Sequence, residues 1–198
     1  MDNPKADKWN SLFEGGAKYR EINEVFALDL LDALKKEVGK RPAAVVDLGC
    51  GSGDTLARFA ALGLQAVGVD ISNVAIEQAK EKLSAATLIQ HDLDDIGTIK
   101  IDAPVGTLWI CKLVLAFVTD KKAFLNGVRG LMRDGDALLV MTPVLREDVA
   151  YAKEDKPGIA LPVTEAEGLM METFGGFTVF ASEYPAERGH VVSYLVKK

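Results

Sequence analysis

Apolar positions along the chain fall into two alternating rhythms. Ile22, Val25, Phe26, Leu30, Ala33 and Leu34 recur at helical spacing, which predicts a helix over 20–38 stopped at Gly39. Ala43-Ala44-Val45-Val46-Asp47-Leu48 is a continuous apolar run of strand length. Beyond it the rhythms alternate: helix over 54–62 ended by Gly63, strand over 65–70, helix from a Ser72 cap to about Leu83, strand over 87–90. A strand over 107–111 and a helix capped at Thr119 follow, with Phe124, Val128 and Leu131 on one face. A strand over 137–141 closes this series.

Strand–helix alternation implies a parallel sheet covered on both faces. The ending breaks the rule. After a helix over 164–174, two strands over 177–184 and 191–196 are separated by a segment too short for a helical crossover, which requires an antiparallel hairpin. The expectation is an α/β, Rossmann-like doubly wound sheet, mostly parallel, with an antiparallel terminal hairpin. No repeat or linker divides the chain, which reads as a single domain of 198 residues. Residues 1–40 form an N-terminal flap and helix, with a loose polar start over 2–8, and 41–198 form the core.

Composition narrows the partners. The net charge is −6 and no long Lys/Arg block occurs, so no nucleic acid and no anionic membrane is expected. The start, Met1-Asp2-Asn3-Pro4-Lys5, lacks a secretory leader's basic and apolar run, and the expected location is cytoplasmic. Cys50 and Cys111 read as small buried thiols, and neither has a metal-ligand neighbour; the expected metal content is none.

Candidate chemistry gathers where the first strands end. The first runs into Gly49-Cys50-Gly51-Ser52-Gly53, a loop that lets a ligand approach the main chain. The dinucleotide fingerprint would need glycine at 54, where Asp54 stands. Asp47 and Asp54 flank the loop and would repel a pyrophosphate, but suit a ligand carrying sulfonium and ammonium groups. Asp70, about twenty residues past the first glycine, can accept from ribose hydroxyls. Asp92 lies at the same edge, placed for an adenine amino group.

These residues carry a family resemblance. Val45-Val46-Asp47-Leu48-Gly49-Cys50-Gly51-Ser52-Gly53-Asp54-Thr55 resembles motif I of the class I S-adenosylmethionine-dependent methyltransferases. Val67-Gly68-Val69-Asp70-Ile71-Ser72 resembles the second motif, and His91-Asp92-Leu93 the third. The resemblance spans roughly residues 43–196 and implies a seven-stranded sheet with its last strand antiparallel. It implies that S-adenosylmethionine is bound by Asp47, Gly49, Cys50, Gly51 and Gly53 at its methionine part, and by Asp70 with Ile71 at its ribose. Asp92 and Leu93 would take the adenine, and the backbone at Cys111 and Lys112 the amino group. Trp9-Asn10-Ser11-Leu12-Phe13 with Tyr19, and the stretch from Tyr184 to His190, are similar to small methyltransferases of the tellurite-resistance and thiopurine type.

Methyl transfer from a sulfonium needs positioning and water exclusion more than a catalytic motif. His91, His190, Tyr19 and Lys112 are candidate bases, none of them assigned as catalytic. The nucleic-acid motifs Asn/Asp-Pro-Pro-Tyr and Pro-Cys are absent, as is an acid in place of Lys112 for a catechol-type metal. The expected partner is therefore a small-molecule acceptor, touched by Trp9, Phe13, Tyr19 and Lys112. Two segments, 1–19 and 143–162, are expected to fold over it. Other readings stay open: a methyltransferase acting on protein or RNA, and a non-catalytic binder of the same ligand. An NAD-dependent oxidoreductase is disfavoured by Asp54 and the terminal hairpin.

Overall fold

The computed structural model describes residues 3–19, 21–146, 160–183 and 190–198. Two helices, α1 (Pro4–Glu14) and α2 (Glu24–Val38), precede an alternating series. It runs β1 (Ala44–Leu48), α3 (Asp54–Ala61), β2 (Gln65–Asp70), α4 (Asn73–Lys82), β3 (Thr87–Gln90), β4 (Thr107–Lys112), α5 (Lys121–Leu131) and β5 (Ala137–Leu145). The two-residue β6 (Leu161–Pro162) leads into α6 (Val163–Phe174), β7 (Thr178–Glu183) and β8 (His190–Lys197).

The sheet order is β3-β2-β1-β4-β5-β8-β7, with β6 pairing only to the end of β5. The pairs β1–β2, β1–β4, β2–β3 and β4–β5 are parallel, while β8 runs antiparallel to both β5 and β7. This is the expected mostly parallel sheet with its antiparallel hairpin; the two-residue β6 is an addition to it.

Alternate residues of each strand feed opposite layers, as the pleat requires. Val46, Leu48, Val67 and Val69 face one layer with Phe124, Leu125 and Val128 of α5 and Met170 of α6. Val45, Ala66, Leu108, Ile110 and Leu139 face the other, against Leu30, Leu31 and Leu34 of α2 and Leu56 and Phe59 of α3. The parallel strands end together, and reversal of the order between β1 and β4 opens a crevice at their C-terminal edge, where such sheets bind ligands.

Several expectations are corrected. The polar start is helical from Pro4: Asn3 caps it, accepting from the amides of Lys5 and Ala6, and Pro4 supplies a preset φ. The buried stripe of α2 is Ala27, Leu30, Leu31 and Leu34; Ile22 is buried ahead of the helix, and Val25 is 68% exposed on its outer side. Asp120, not Thr119, caps α5, accepting from the Ala123 amide at 2.8 Å. Thr119 instead gives its amide and hydroxyl to Asp94.

The strand expected over 137–141 continues to Leu145. Its pairing with β4 ends at Met141, so Pro143, which has no amide proton, breaks no ladder bond there. The segment expected over 143–162 therefore begins inside β5 and ends in β6. Its charged stretch, 147–159, lies outside the described residues, as does 184–189 between β7 and β8.

Candidate functional site

A cleft of ≈ 1020 Å³, counting its open mouth, lies at this crevice. β1 delivers Asp47 to its floor, and the chain then turns through the glycine loop into α3. Gly49 has φ 79°, and a Cβ there would lie 2.2 Å from Val114 Cγ2. Gly51 has φ 53° and lies beneath Phe13, whose ring would be 3.1 Å from an added Cβ. Both positions therefore need glycine on two counts, backbone and space.

Asp70, at the end of β2, clamps this loop. Its Oδ2 accepts from the Gly51 amide at 2.8 Å and its Oδ1 from the Ser72 amide at 2.9 Å. Burial pushes its pKa up, against the lowering effect of these amides. The spacing of the sequence pointed to a ligand contact; the structure adds that the same carboxylate shapes the loop.

Asp47 is 1% exposed, and its Oδ1 has no hydrogen-bond partner among the described residues. Burial pushes its pKa to about 7, partly offset by the charge of Lys112 and reinforced by Asp70. A buried carboxylate oxygen without a donor is costly, and it is the kind of group a ligand cation or amine satisfies.

Nine residues from the expected cofactor set line the cleft: Asp47, Gly49, Cys50, Gly51, Asp70, Ile71, Asp92, Leu93 and Lys112. Gly53 and Cys111 do not. Gly53 is the left-handed residue (φ 82°) that starts α3, packed on Ala79 and Leu83. Cys111 is fully buried in the core, where burial pushes its thiol up to about 12. Burial likewise raises the Cys50 thiol, so both cysteines stay protonated.

Asp92 is engaged from an unexpected direction. Lys5 Nζ bridges Asp92 Oδ1 at 3.0 Å and Asp94 Oδ2 at 2.8 Å, which ties α1 to the edge beyond β3. Asp54 also lines the cleft, but its carboxylate accepts from Ser52 Oγ and Lys82 Nζ, which hold its pKa below the usual range. His91 lies outside the cleft lining, with Nε2 3.1 Å from the Asp95 carbonyl oxygen. His190, at the start of β8, is also absent from that lining.

The three aromatic residues of the N-terminal segment meet at the cleft. Trp9, Phe13 and Tyr19 line the cleft and form one cluster, with Trp9 edge-on to Phe117 at 5.0 Å between centroids. Burial and the nearby Asp70 raise the Tyr19 phenol. Asn10 accepts from Ser72 Oγ at 2.7 Å, and the Phe13 carbonyl accepts from Gln78 Nε2 at 3.3 Å. Ser52 and Thr55 of the loop and α3 also line the cleft, as do Lys5, Leu113, Val114, Phe117 and Val118, five residues not singled out from sequence. One signal for Lys5 existed: Lys5, Trp9 and Phe13 recur every four residues, a single helix face. Leu113 has φ 60°, a left-handed conformation that a branched side chain rarely adopts.

Comparison with known proteins agrees with this geometry. Among solved structures, the plantazolicin methyltransferase BamL, in complex with a triazolic desmethylPZN analog and SAH, superposes with a TM-score of 0.69 at 13% identity, covering 98% of this chain and 89% of that one. A TehB-like SAM-dependent methyltransferase from Corynebacterium glutamicum gives 0.60 at 16% identity, covering 98% and 96%. At such identities the likeness is one of fold. A curated relative, an uncharacterized 37.1 kDa protein in transposon TN4556 of Streptomyces fradiae, is 29% identical over 117 residues, 58% of this chain and 33% of that protein. The chain thus matches about a third of that relative's length. A family profile described as a methyltransferase domain matches residues 40–173, which run from the segment before β1 through nearly all of α6. With the glycine loop, both strand-end aspartates and the antiparallel terminal hairpin in place, the chain belongs to this methyltransferase-domain family, the class I enzymes that use S-adenosylmethionine.

Proposed function

We propose that the protein transfers a methyl group from S-adenosylmethionine to a small-molecule acceptor inside a covered cleft. The observation that carries the reading is the buried Asp47 carboxylate, with one oxygen unpartnered at the floor of a cleft that also holds Asp70 and the glycine loop. The donor set fits the cofactor: carboxylates for its ammonium and ribose hydroxyls, and loop backbone for close approach. In this reading Asp47, Gly49, Cys50, Gly51 and Lys112 hold the methionine part, Asp70 and Ile71 the ribose, and Asp92 and Leu93 the adenine. S-adenosylmethionine, when bound, supplies a methyl carbon that an acceptor lone pair attacks in line while the carbon–sulfur bond breaks onto sulfur.

The chain's own residues orient and exclude water. Residues 1–40 act as cover and 41–198 as core. Phe13, 4% exposed and seated over Gly51, shields the loop, and Trp9 with Phe117 closes the side toward β4. Water exclusion strengthens the interactions of Asp47 and Asp70 with a cationic ligand. A covered cleft favours a small acceptor over a polymer. BamL, crystallised with a triazolic desmethylPZN analog and SAH, supports the same reading. Among the described residues no helix is long and apolar enough to cross a membrane.

Calorimetry with S-adenosylmethionine, SAH and NAD tests the cofactor half; heat from NAD alone would overturn it. Mass-spectrometric screening of a metabolite pool with methyl-labelled cofactor tests the acceptor half. Label appearing only in added protein or RNA would replace the small-molecule reading.

A further inference from the structure

A second cavity lies against the first on the α2 side of the sheet, ≈ 440 Å³ with its mouth, lined by Glu21, Ile22, Asn23, Phe26, Lys112, Leu113, Met141 and Val191. Lys112 and Leu113 line both cavities and form the wall between them. We propose that this second cavity holds the body of the methyl acceptor, and that the acceptor is a small, apolar, uncharged molecule whose nucleophilic atom reaches past Leu113. The assignment rests on the methyl-transfer reading above.

Adjacency is the first argument. Donor and acceptor must meet in line at contact distance. Two cavities sharing one residue pair as their wall provide such a meeting point, at the C-terminal end of β4. The aromatic flap, by contrast, lies over Gly51 and near Asp70, so it covers the donor side.

Lining chemistry is the second. Ile22 and Met141 are 3% and 9% exposed, and Phe26, Val191 and Leu113 add further apolar surface. Among the described residues the polar groups are few, as in sites for small apolar ligands. Asn23 Oδ1 is already used by the Phe26 amide at 2.8 Å. Among the described residues one acid, Glu21, and one base, Lys112, line the cavity, and these carry no surplus of positive charge for a phosphate or carboxylate. The cavity is far too small for a folded polymer.

Backbone strain is the third. Leu113 donates its amide to the Met141 carbonyl at 2.8 Å, continuing the β4–β5 ladder, and then turns through φ 60°. A non-glycine residue held in that conformation at a ligand wall points to a role of its side chain, here as the partition between the two ligands.

The test uses the full chain labelled with ¹³C-methyl methionine, with 2-naphthol as probe. The methionines are Met1, Met132, Met141, Met170 and Met171, and among the described residues only Met141 of these lines the cavity. With SAH already bound, 2-naphthol should shift the Met141 methyl and leave the exposed Met171 methyl in place. Met141→Trp, which fills the cavity, should weaken 2-naphthol by at least about tenfold. SAH binding by that variant shows that it folds; if it does not fold, the wild-type titration still decides. Displacement of SAH by 2-naphthol, or no Met141 shift at millimolar probe, would overturn the assignment. A chain that takes 2-naphthol at Met141 but ignores SAH would overturn the methyl-transfer reading, and with it the acceptor role, while showing the cavity to be real.

Discussion

Replacing Asp47 by Asn removes a charge and keeps the shape. Asp47 is 1% exposed and its carboxyl rises from 3.8 to about 7 on folding, chiefly by burial. The folded state therefore holds this proton more tightly than the unfolded chain. Its contribution to stability is fully present below pH 3.8 and is lost as pH rises toward about 7. At about 1.4 kcal/mol per pH unit the rise corresponds to about 4 kcal/mol, an upper figure because the buried site can admit water. An Asn side chain has no such titration. Between pH 4 and 8 the Asp47→Asn protein should thus gain about 4 kcal/mol relative to wild type. Burial also raises the Asp70 carboxyl, so wild type alone would not isolate Asp47; the difference between the two proteins does.

Urea denaturation at closely spaced pH values measures this difference. Calorimetry with SAH supplies the second readout. An ammonium partner needs the ionised carboxylate, so wild-type affinity should fall about tenfold per pH unit below 7. Binding to the Asn variant should be weaker and should depend less steeply on pH over the same range, the remaining slope coming from Asp70. A stability gap that stays constant from pH 4 to 8 would refute the argument, because it would mean that Asp47 titrates alike in folded and unfolded chains.

Asp70→Asn should weaken SAH binding by about 1.5–3 kcal/mol in calorimetry, the range for hydrogen bonds to a charged group, and should loosen the Gly51 amide in hydrogen exchange. Gly49→Ala meets both a φ of 79° and Val114 Cγ2 at 2.2 Å, and should cost about 2–4 kcal/mol in urea denaturation. Adding Val114→Ala should recover only the steric part; full recovery would show that the backbone conformation costs nothing. Asp136, 2% exposed, accepts from the amides of Gly106, Thr107 and Arg133 and from Trp109 Nε1. Asp136→Ala should destabilise the fold by about 3–4 kcal/mol while SAH affinity in the folded protein holds, since Asp136 lies at the opposite end of the sheet from the cleft.

The sheet was legible because its strands are apolar runs bounded by glycine and polar turns, and the central strands are buried on both faces. β2 and β3 have the expected limits. The glycine loop and its flanking aspartates were legible because their chemistry sits within one stretch of chain. What escaped depends on partners far apart in sequence. Thr119 and Asp120 are both competent caps, and only the presence of Asp94 draws Thr119 away. Nothing local marks Asp136 as the hub of four donors. The start of the chain looked loose because its polarity is high; its helix is held by Asp92, Asp94, Ser72 and Gln78, residues 62 to 89 positions away.

That manner of attachment links the flap to the site. An isolated 11-residue helix is marginal in water, so α1 depends on its tertiary contacts. Those contacts fall on site residues: Lys5 on Asp92, Phe13 over Gly51, Trp9 against Phe117, and Asn10 at Ser72, whose amide in turn binds Asp70. Partly exposed ion pairs such as Lys5–Asp92 contribute only about 0–1 kcal/mol each, and the burial of Phe13 and much of Trp9 supplies most of the rest. The flap therefore belongs to the low-stability end of the molecule, while the sheet beneath it does not. Lys5 and an adenine amino group would also share one carboxylate. Its two oxygens offer enough lone pairs for both, with Lys5 and the Asp94 amide on Oδ1 and the weak Asn3 contact at 3.5 Å on Oδ2. In the proposed binding mode Asp92 would thus hold the cover and take the ligand together, so an Asp92→Asn change should weaken both the α1 attachment, read by hydrogen exchange, and SAH binding, read by calorimetry.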